Sequence, residues 1–70
     1  MMPLAMANVG DVNLIRKITG KDEVRQLLAE LGFVVEEPVT VVSAIAGNLI
    51  LKVKDSRIAL DKEMACRIMI

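Results

Sequence analysis

The stretch 38-PVTVVSAIAGNLILKVK-54 decides the fold, because it holds two strand-like runs with a turn between them. Pro38 suits the first position of a strand, where no backbone N–H has to be donated. The run 39–45 is rich in β-branched residues, which favour strands. Gly47 and Asn48 interrupt the pattern and favour a type II′ or related turn. The stretch therefore predicts a β-hairpin.

The second arm of this hairpin alternates between apolar and charged residues. Leu49, Leu51 and Val53 recur at period two, with Lys52 and Lys54 at alternate positions. Because successive side chains of a strand point to opposite faces, we expect the apolar residues to face the core and the lysines to face solvent.

Downstream of the hairpin, Asp55 and Ser56 predict a second tight turn into a short strand, in which Ile58 and Leu60 share a face. Asp61 is a suitable N-cap for one helical turn. This turn is predicted at residues 62–65. The final strand, 66–70, alternates, and three of its residues are expected to face inward: Cys66, Ile68 and Ile70.

Upstream of the hairpin, the stretch 21-KDEVRQLLAELGF-33 predicts an amphipathic helix. Its apolar residues follow the i, i+3, i+4, i+7 rule, so they form one stripe on the helix surface. The stripe consists of Val24, Leu27, Leu28 and Leu31.

Both ends of this helix have local signals. Thr19 and Asp22 resemble a capping box at the start, and acidic residues there complement the helix dipole. Gly32 suits the left-handed position after the last turn, with Phe33 folding back as in a Schellman ending.

The residues before the helix, 12-VNLIRKIT-19, predict the first strand. Val12, Leu14 and Ile18 recur at period two and are expected to face the core, with Arg16 as an exception. Such an exception often marks a bulge or a strongly bent strand.

The order is thus strand, helix, hairpin, short strand, helical turn and final strand. Five short strands cannot bury their apolar faces in one layer, and a helical turn before the last strand is typical of SH3-like barrels. We therefore predict a mostly β fold over residues 1–70: one small SH3-like barrel of about five antiparallel strands, with one α-helix after the first strand. The leucine stripe is expected to seal this barrel, so Leu28→Ala or Leu31→Ala should severely destabilise it.

Composition argues against catalysis and against a tightly held metal or cofactor. The chain has no histidine and one cysteine, and its glycines stand singly at element boundaries. Histidine-based nucleophile pairs, Cys/His zinc sites and phosphate-binding loops are therefore absent from the sequence. Cys66 is expected to be an inert residue of the core, and the carboxylates are expected to be solvated. We predict no catalytic, cofactor-binding or metal-binding residues.

Charge and aromatic content also exclude classes of partner. The nine basic residues equal the nine acidic ones, so no net charge attracts nucleic acid or an anionic membrane. One aromatic residue cannot form an aromatic groove or a base-stacking platform. The chain begins without signal-peptide features, and its longest apolar run is too short to span a bilayer. With the unpaired cysteine, this predicts a cytoplasmic protein with no membrane insertion.

A surplus of methionine and aliphatic residues is left over after the predicted core is filled. Methionine adapts to irregular partner surfaces, so these residues predict a protein-contact patch formed by the N-terminal arm and the outer face of the final strand. The alternative is that they belong to a frayed terminus or fill gaps in the core. The residues are Met1, Met2, Leu4, Met6, Val34, Val35, Met64 and Met69.

Three blocks of the chain resemble the ferrous iron transport protein A (FeoA) family. The helix block "RQLLAELG" matches the family pattern at Arg25, Leu28, Leu31 and Gly32. The hairpin matches at Val39, Val41 and Gly47, and the ending "ALDKEMACRIMI" matches at Ala59, Leu60, Ala65, Ile68 and Ile70. Two positions depart from the family pattern: Glu36 stands where a turn glycine is usual, and Asp61 where arginine is frequent.

The resemblance implies an accessory role in bacterial ferrous iron uptake. The partner would be the large membrane iron permease that has a cytoplasmic GTP-binding domain, and the chain would dock on it and modulate it. The alternative is an SH3-like regulatory module of a metal-responsive transcription regulator, and weak self-association is left open. The candidate contact residues are Met2, Leu4, Met6, Arg25, Val35, Met64 and Met69.

Overall fold

A computed structural model of residues 1–70 has the predicted order of elements. The predicted first strand is broken in two, which gives six strands. In chain order the elements are a 3₁₀ turn (Leu4–Met6), β1 (Val12–Leu14), β2 (Lys17–Ile18), α1 (Asp22–Glu30), β3 (Pro38–Ile45), β4 (Asn48–Val53), β5 (Ser56–Asp61), α2 (Lys62–Ala65) and β6 (Ile68–Met69).

The strands form two antiparallel sheets around one core, as expected for a mostly β barrel. The first sheet has the order β1-β3-β4-β5, and the second pairs β2 with β6. Only two residues separate β1 from β2, so they are two halves of one bent strand that joins the sheets. The N-terminal segment lies along β6, where the Met2 and Ile70 backbones exchange N–H···O=C bonds of 2.9 and 2.8 Å.

The core consists of twelve buried residues, all apolar. The prediction that the second hairpin arm, the short strand and the final strand each contribute to it is confirmed. The buried residues are Leu4, Ile15, Leu28, Phe33, Val39, Val41, Leu49, Leu51, Val53, Leu60, Ala65 and Ile68.

The end of α1 and the cap of α2 are confirmed by their hydrogen bonds. The Phe33 N–H donates to the Leu28 carbonyl at 2.9 Å and the Gly32 N–H to the Ala29 carbonyl at 3.0 Å, which is the Schellman pattern. Gly32 has a φ of 106°, which favours glycine. At α2, the Asp61 carboxylate accepts a hydrogen bond of 2.8 Å from the Met64 N–H.

The predicted capping box at the start of α1 is wrong. The helix begins at Asp22 with Lys21 as N-cap, and no side chain caps it. The Thr19 hydroxyl instead donates to the Arg67 carbonyl at 3.2 Å. Thr19 belongs to the strand connection, since its own N–H also bonds to Arg67.

The leucine stripe of α1 seals the barrel less completely than predicted. Leu28 is fully buried and Val24 is half-buried, but Leu27 and Leu31 are 47% and 36% exposed. The helix has nine residues, and Leu28 is the only one of them that is buried. The side chain of Leu28 points directly at the core, and the other residues of the stripe remain partly in solvent.

The predicted facing of the first strand is wrong for Val12 and Leu14 but confirmed for Ile18, which packs against the core. Val12 and Leu14 are 65% and 48% exposed, while Ile15 is fully buried and Ile18 half-buried. The chain changes its neighbour from β3 to β6 at residues 15 and 16. This bend breaks the period of two, so the inward residues are three positions apart.

The turns and Cys66 differ from the prediction in detail. The hairpin turn is formed by Ala46 and Gly47, both with positive φ (48° and 83°), which is the type I′ pattern. The second turn is formed by Lys54 and Asp55. Cys66 is exposed, because it caps the C-terminus of α2 before β6 begins.

Candidate protein-contact groove

A groove of about 680 Å³ lies between α1, β2 and the loop that follows α1. We call it the α1 groove. It is open to solvent along its length and has both charged and apolar residues in its walls. The lining residues are Arg16, Lys17, Ile18, Asp22, Arg25, Gln26, Ala29, Phe33, Val34 and Val35.

The apolar part of the groove follows from how α1 ends. The Schellman ending turns the chain back, so Phe33 is buried while Val34 and Val35 remain at the surface. Ala29 on the helix has only a methyl group, so the helix side of the groove stays open. The result is an apolar floor supported from below by a core residue.

The charged part of the groove has more positive than negative groups. Arg16, Lys17 and Arg25 line it together with one carboxylate, Asp22. Arg25 and Asp22 form an ion pair one helical turn apart, and it is the only salt bridge in the structure. Both of its side chains are well exposed, so the pair contributes little stability. Arg16 and Lys17 form no salt bridge within the chain.

A second hollow of about 410 Å³ adjoins the α1 groove and shares Arg16 and Val35 with it. Its other lining residues are Leu14, Ile15 and Glu36. Exposed apolar side chains therefore continue from the groove onto β1.

Glu36 holds the loop between the groove and β3 in a left-handed conformation. Its φ is 71°, and its N–H donates to the Ile15 carbonyl at 2.7 Å. Glycine is the residue that adopts this conformation most easily. Here glutamate adopts it, because the hydrogen bond to Ile15 fixes the backbone. A residue with a Cβ is strained in this region by about 1 kcal/mol.

Replacing Glu36 with glycine should therefore stabilise the protein slightly or leave it unchanged. Relief of the strain is offset in part by the greater freedom of glycine in the unfolded chain, so we expect a gain of about 0 to 1 kcal/mol. Urea denaturation of both proteins measures the difference. A loss above about 1 kcal/mol would contradict the assignment of strain to this residue.

The structure brings together some of the predicted contact residues. Arg25 and Val35 both line the α1 groove. Met69 lies directly opposite Lys17 in the β2–β6 pair, so its side chain points to the same face as that lysine. Pro3 is bridged to Met69, and Met2 is hydrogen-bonded to Ile70, so Met2 lies next to the end of β6.

The remaining predicted contact residues lie elsewhere. Leu4 is fully buried and belongs to the core, so its place on a contact surface is a wrong prediction: the 3₁₀ turn directs this side chain inward. Met64 is half-buried on α2 and packs against the core. Met6 is exposed on the 3₁₀ turn, which contacts α2.

Sequence reasoning missed most of the groove. Arg16 had a signal, because it interrupts an otherwise apolar alternation. No sequence pattern indicated that Lys17 and Asp22 would line a groove. They come together only because α1 folds back beside β2. The groove is a consequence of tertiary packing.

No group of three or more histidine, cysteine, aspartate or glutamate side chains lies together in the structure. None of the helices combines the length and the apolar character that crossing a membrane requires.

Fold and groove together define a small SH3-like domain, whose main surface feature is a groove with an apolar floor and a basic rim. The FeoA domain model matches residues 2–70. The chain belongs to the FeoA family, a family of small accessory domains linked to ferrous iron transport.

Solved structures agree with this family. The chain is 28% identical to an iron uptake regulatory protein (FeoA), with a TM-score of 0.87 over 96% of this chain and 89% of that one. It is 27% identical to the Stenotrophomonas maltophilia FeoA complexed with zinc, with a TM-score of 0.75 over 99% of this chain and 88% of that one. The latter is described as a procaryotic SH3 domain protein and a candidate ferrous iron transport activating factor.

A manganese-dependent transcriptional repressor has a similar fold. Its identity to this chain is 17%, with a TM-score of 0.86 over 94% of this chain and 38% of the repressor. At this identity the likeness concerns the fold alone. The comparison with curated proteins gave no match.

Proposed function

We propose that this chain is an accessory protein of bacterial ferrous iron uptake that docks on the cytoplasmic part of the membrane iron permease and modulates it. The observation that supports this most strongly is the FeoA domain match over residues 2–70. The partner is the permease with a GTP-binding domain, and the chain acts by binding to it in the cytoplasm.

The α1 groove is the docking site in this proposal. An apolar floor offers area to bury, and burial of apolar surface is the main favourable term in protein association. Arg16 and Lys17 on the rim favour a partner segment with acidic residues, because unpaired cations match carboxylates. Met69 extends the same face with an adaptable side chain.

Docking modulates the permease through differential affinity. A bound protein shifts a conformational equilibrium only by as much as it binds one state more tightly than another. The chain therefore stabilises the permease state whose cytoplasmic surface fits the groove. Iron is the cargo of the permease in this mechanism and does not have to bind to the accessory chain.

Crosslinking in cells tests the docking site. Val35→Asp places a carboxylate on the apolar floor, and Ile45→Asp is the matched control, because Ile45 is a similarly exposed aliphatic residue at the hairpin turn. We expect the parent chain and the Ile45→Asp variant to recover the permease on crosslinking and affinity purification. Recovery by the Val35→Asp variant should fall at least about tenfold, which corresponds to about 1.4 kcal/mol.

The same purification separates the alternative role. A regulatory module of a metal-responsive transcription regulator would recover a transcription factor or DNA instead of the permease. The repressor similarity supports that role through its fold only, at 17% identity. Absence of the permease from the crosslinked parent sample would contradict the docking proposal.

A further inference from the structure

The two edges of the four-stranded sheet differ in how well they are protected against pairing with a strand of another chain. Its edge strands are β1 and β5. Strand β5 has exposed Arg57 and Asp61, and charged side chains on an edge oppose pairing with another chain. Strand β1 has no charged residue, and its two apolar residues are about half exposed or more. An exposed apolar edge of this kind is a template for strand pairing.

Hydrogen bonds on either side of β1 define which backbone groups are free. The Val41 N–H donates to the Asp11 carbonyl at 3.1 Å, and the Ile15 N–H donates to the Glu37 carbonyl at 3.0 Å. Asp11 and Ile15 thus both face the β3 side. Since bonding direction alternates along an antiparallel strand, Asn13 also faces β3, and Val12 and Leu14 direct their N–H and C=O groups to the open side.

The end of β6 leaves this open side uncovered. The Arg16 N–H points the same way as those of Val12 and Leu14, and it donates to the Met69 carbonyl at 2.7 Å. Strand β6 pairs only with β2, at Lys17 and Ile18. Strand β6 therefore does not reach the outward N–H and C=O groups of Val12 and Leu14, which stay unpaired.

We propose that β1 pairs antiparallel with β1 of a second copy of this chain, across a twofold axis at Asn13. This register sets Val12 of each copy opposite Leu14 of the other, so the outward groups of both residues meet in about four N–H···O=C bonds. The apolar side chains of both copies then lie on one face of a continuous sheet. A twofold contact requires a self-complementary surface, and these groups are placed symmetrically about Asn13.

Charge does not oppose this association. The chain has equal numbers of basic and acidic residues, so two copies have no net repulsion. The paired segment has only three residues per copy, and contacts this small belong to the weak class. We expect a dissociation constant of about 0.1 to 1 mM.

Sedimentation equilibrium of the purified chain from about 10 μM to about 5 mM tests the proposal, with that range spanning the expected constant. The test variant is Val12→Lys, which adds an edge-protecting charge at an exposed site. The control is Ile45→Lys, an exposed aliphatic residue of β3 next to the hairpin turn. We expect dimers of the parent and the control at high concentration, and at least about tenfold weaker association of Val12→Lys.

Amide hydrogen exchange at the same concentrations locates the contact. The Val12 and Leu14 amides should become protected as the dimer forms, while exchange along β5 should not change. A parent chain that stays monomeric at about 5 mM would overturn the proposal. So would undiminished association of Val12→Lys, equal loss in Ile45→Lys, or protection that appears along β5 instead of β1.

Discussion

Replacing Leu28 with alanine is expected to remove most of the stability of the protein at 25 °C. Leu28 is the fully buried residue of α1, and truncation of a buried leucine lowers the free energy of unfolding by about 2 to 5 kcal/mol. A single core of this size supplies a margin of about 3 to 5 kcal/mol. Urea denaturation followed by circular dichroism should show a parent transition that is lost or shifted to very low urea in the variant.

Leu31→Ala is the matched control for this result. The same truncation on the same helix removes a side chain that is already partly in solvent, so we expect a loss of less than about 1.5 kcal/mol. The apolar stripe in the sequence had predicted severe destabilisation by Leu31→Ala, and the exposure of Leu31 lowers that expectation. Equal destabilisation by both variants would contradict the position of α1 on the barrel.

Replacing Phe33 with alanine should have an effect as large as that at Leu28. Phe33 is fully buried, follows the Schellman turn and supports the floor of the α1 groove. Its truncation removes the largest side chain of the core, and such changes lower the free energy of unfolding by about 3 to 5 kcal/mol. We expect the urea transition of this variant to be lost or shifted to very low urea as well.

Val34→Ala is the neighbouring control for Phe33→Ala. Val34 lies at the surface of the same loop, so its truncation should change the free energy of unfolding by less than about 1 kcal/mol. If Phe33→Ala unfolded at the same urea concentration as the parent, the result would contradict the burial of Phe33 in the core.

The features predicted correctly are those encoded by neighbouring residues. Alternation in β4 places Leu51 and Val53 in the core regardless of what lies beyond the sheet. The Gly32 turn and the Asp61 cap depend on hydrogen bonds within five residues, so local sequence was sufficient for both.

The errors come from long-range contacts. Ile15 is buried because the first strand changes partner from β3 to β6, and those partners lie far along the chain. Leu31 is exposed because α1 meets the barrel along a narrower line than its apolar stripe. Leu4 enters the core because the N-terminal segment is tied to β6. Periodicity describes a face of an element, but it does not show how much of that face a neighbour covers.

The candidate site was also only partly predictable, because it depends on contacts between distant segments. Arg25 and Val35 were predicted as contact residues, and both line the groove. Arg16 and Lys17 were not predicted, because they join the groove only when β2 packs beside α1. A surface assembled from three separate segments has no signature in any one of them.

Uptake of radiolabelled ferrous iron tests the central claim most directly. Cells that lack this chain but retain the permease are complemented with the parent, the Val35→Asp variant or the Ile45→Asp variant, each at equal expression. We predict that the parent and Ile45→Asp restore uptake, whereas Val35→Asp leaves the rate near that of the uncomplemented cells. Full restoration by Val35→Asp, or no difference between cells with and without the parent chain, would contradict a role for the α1 groove in ferrous iron transport.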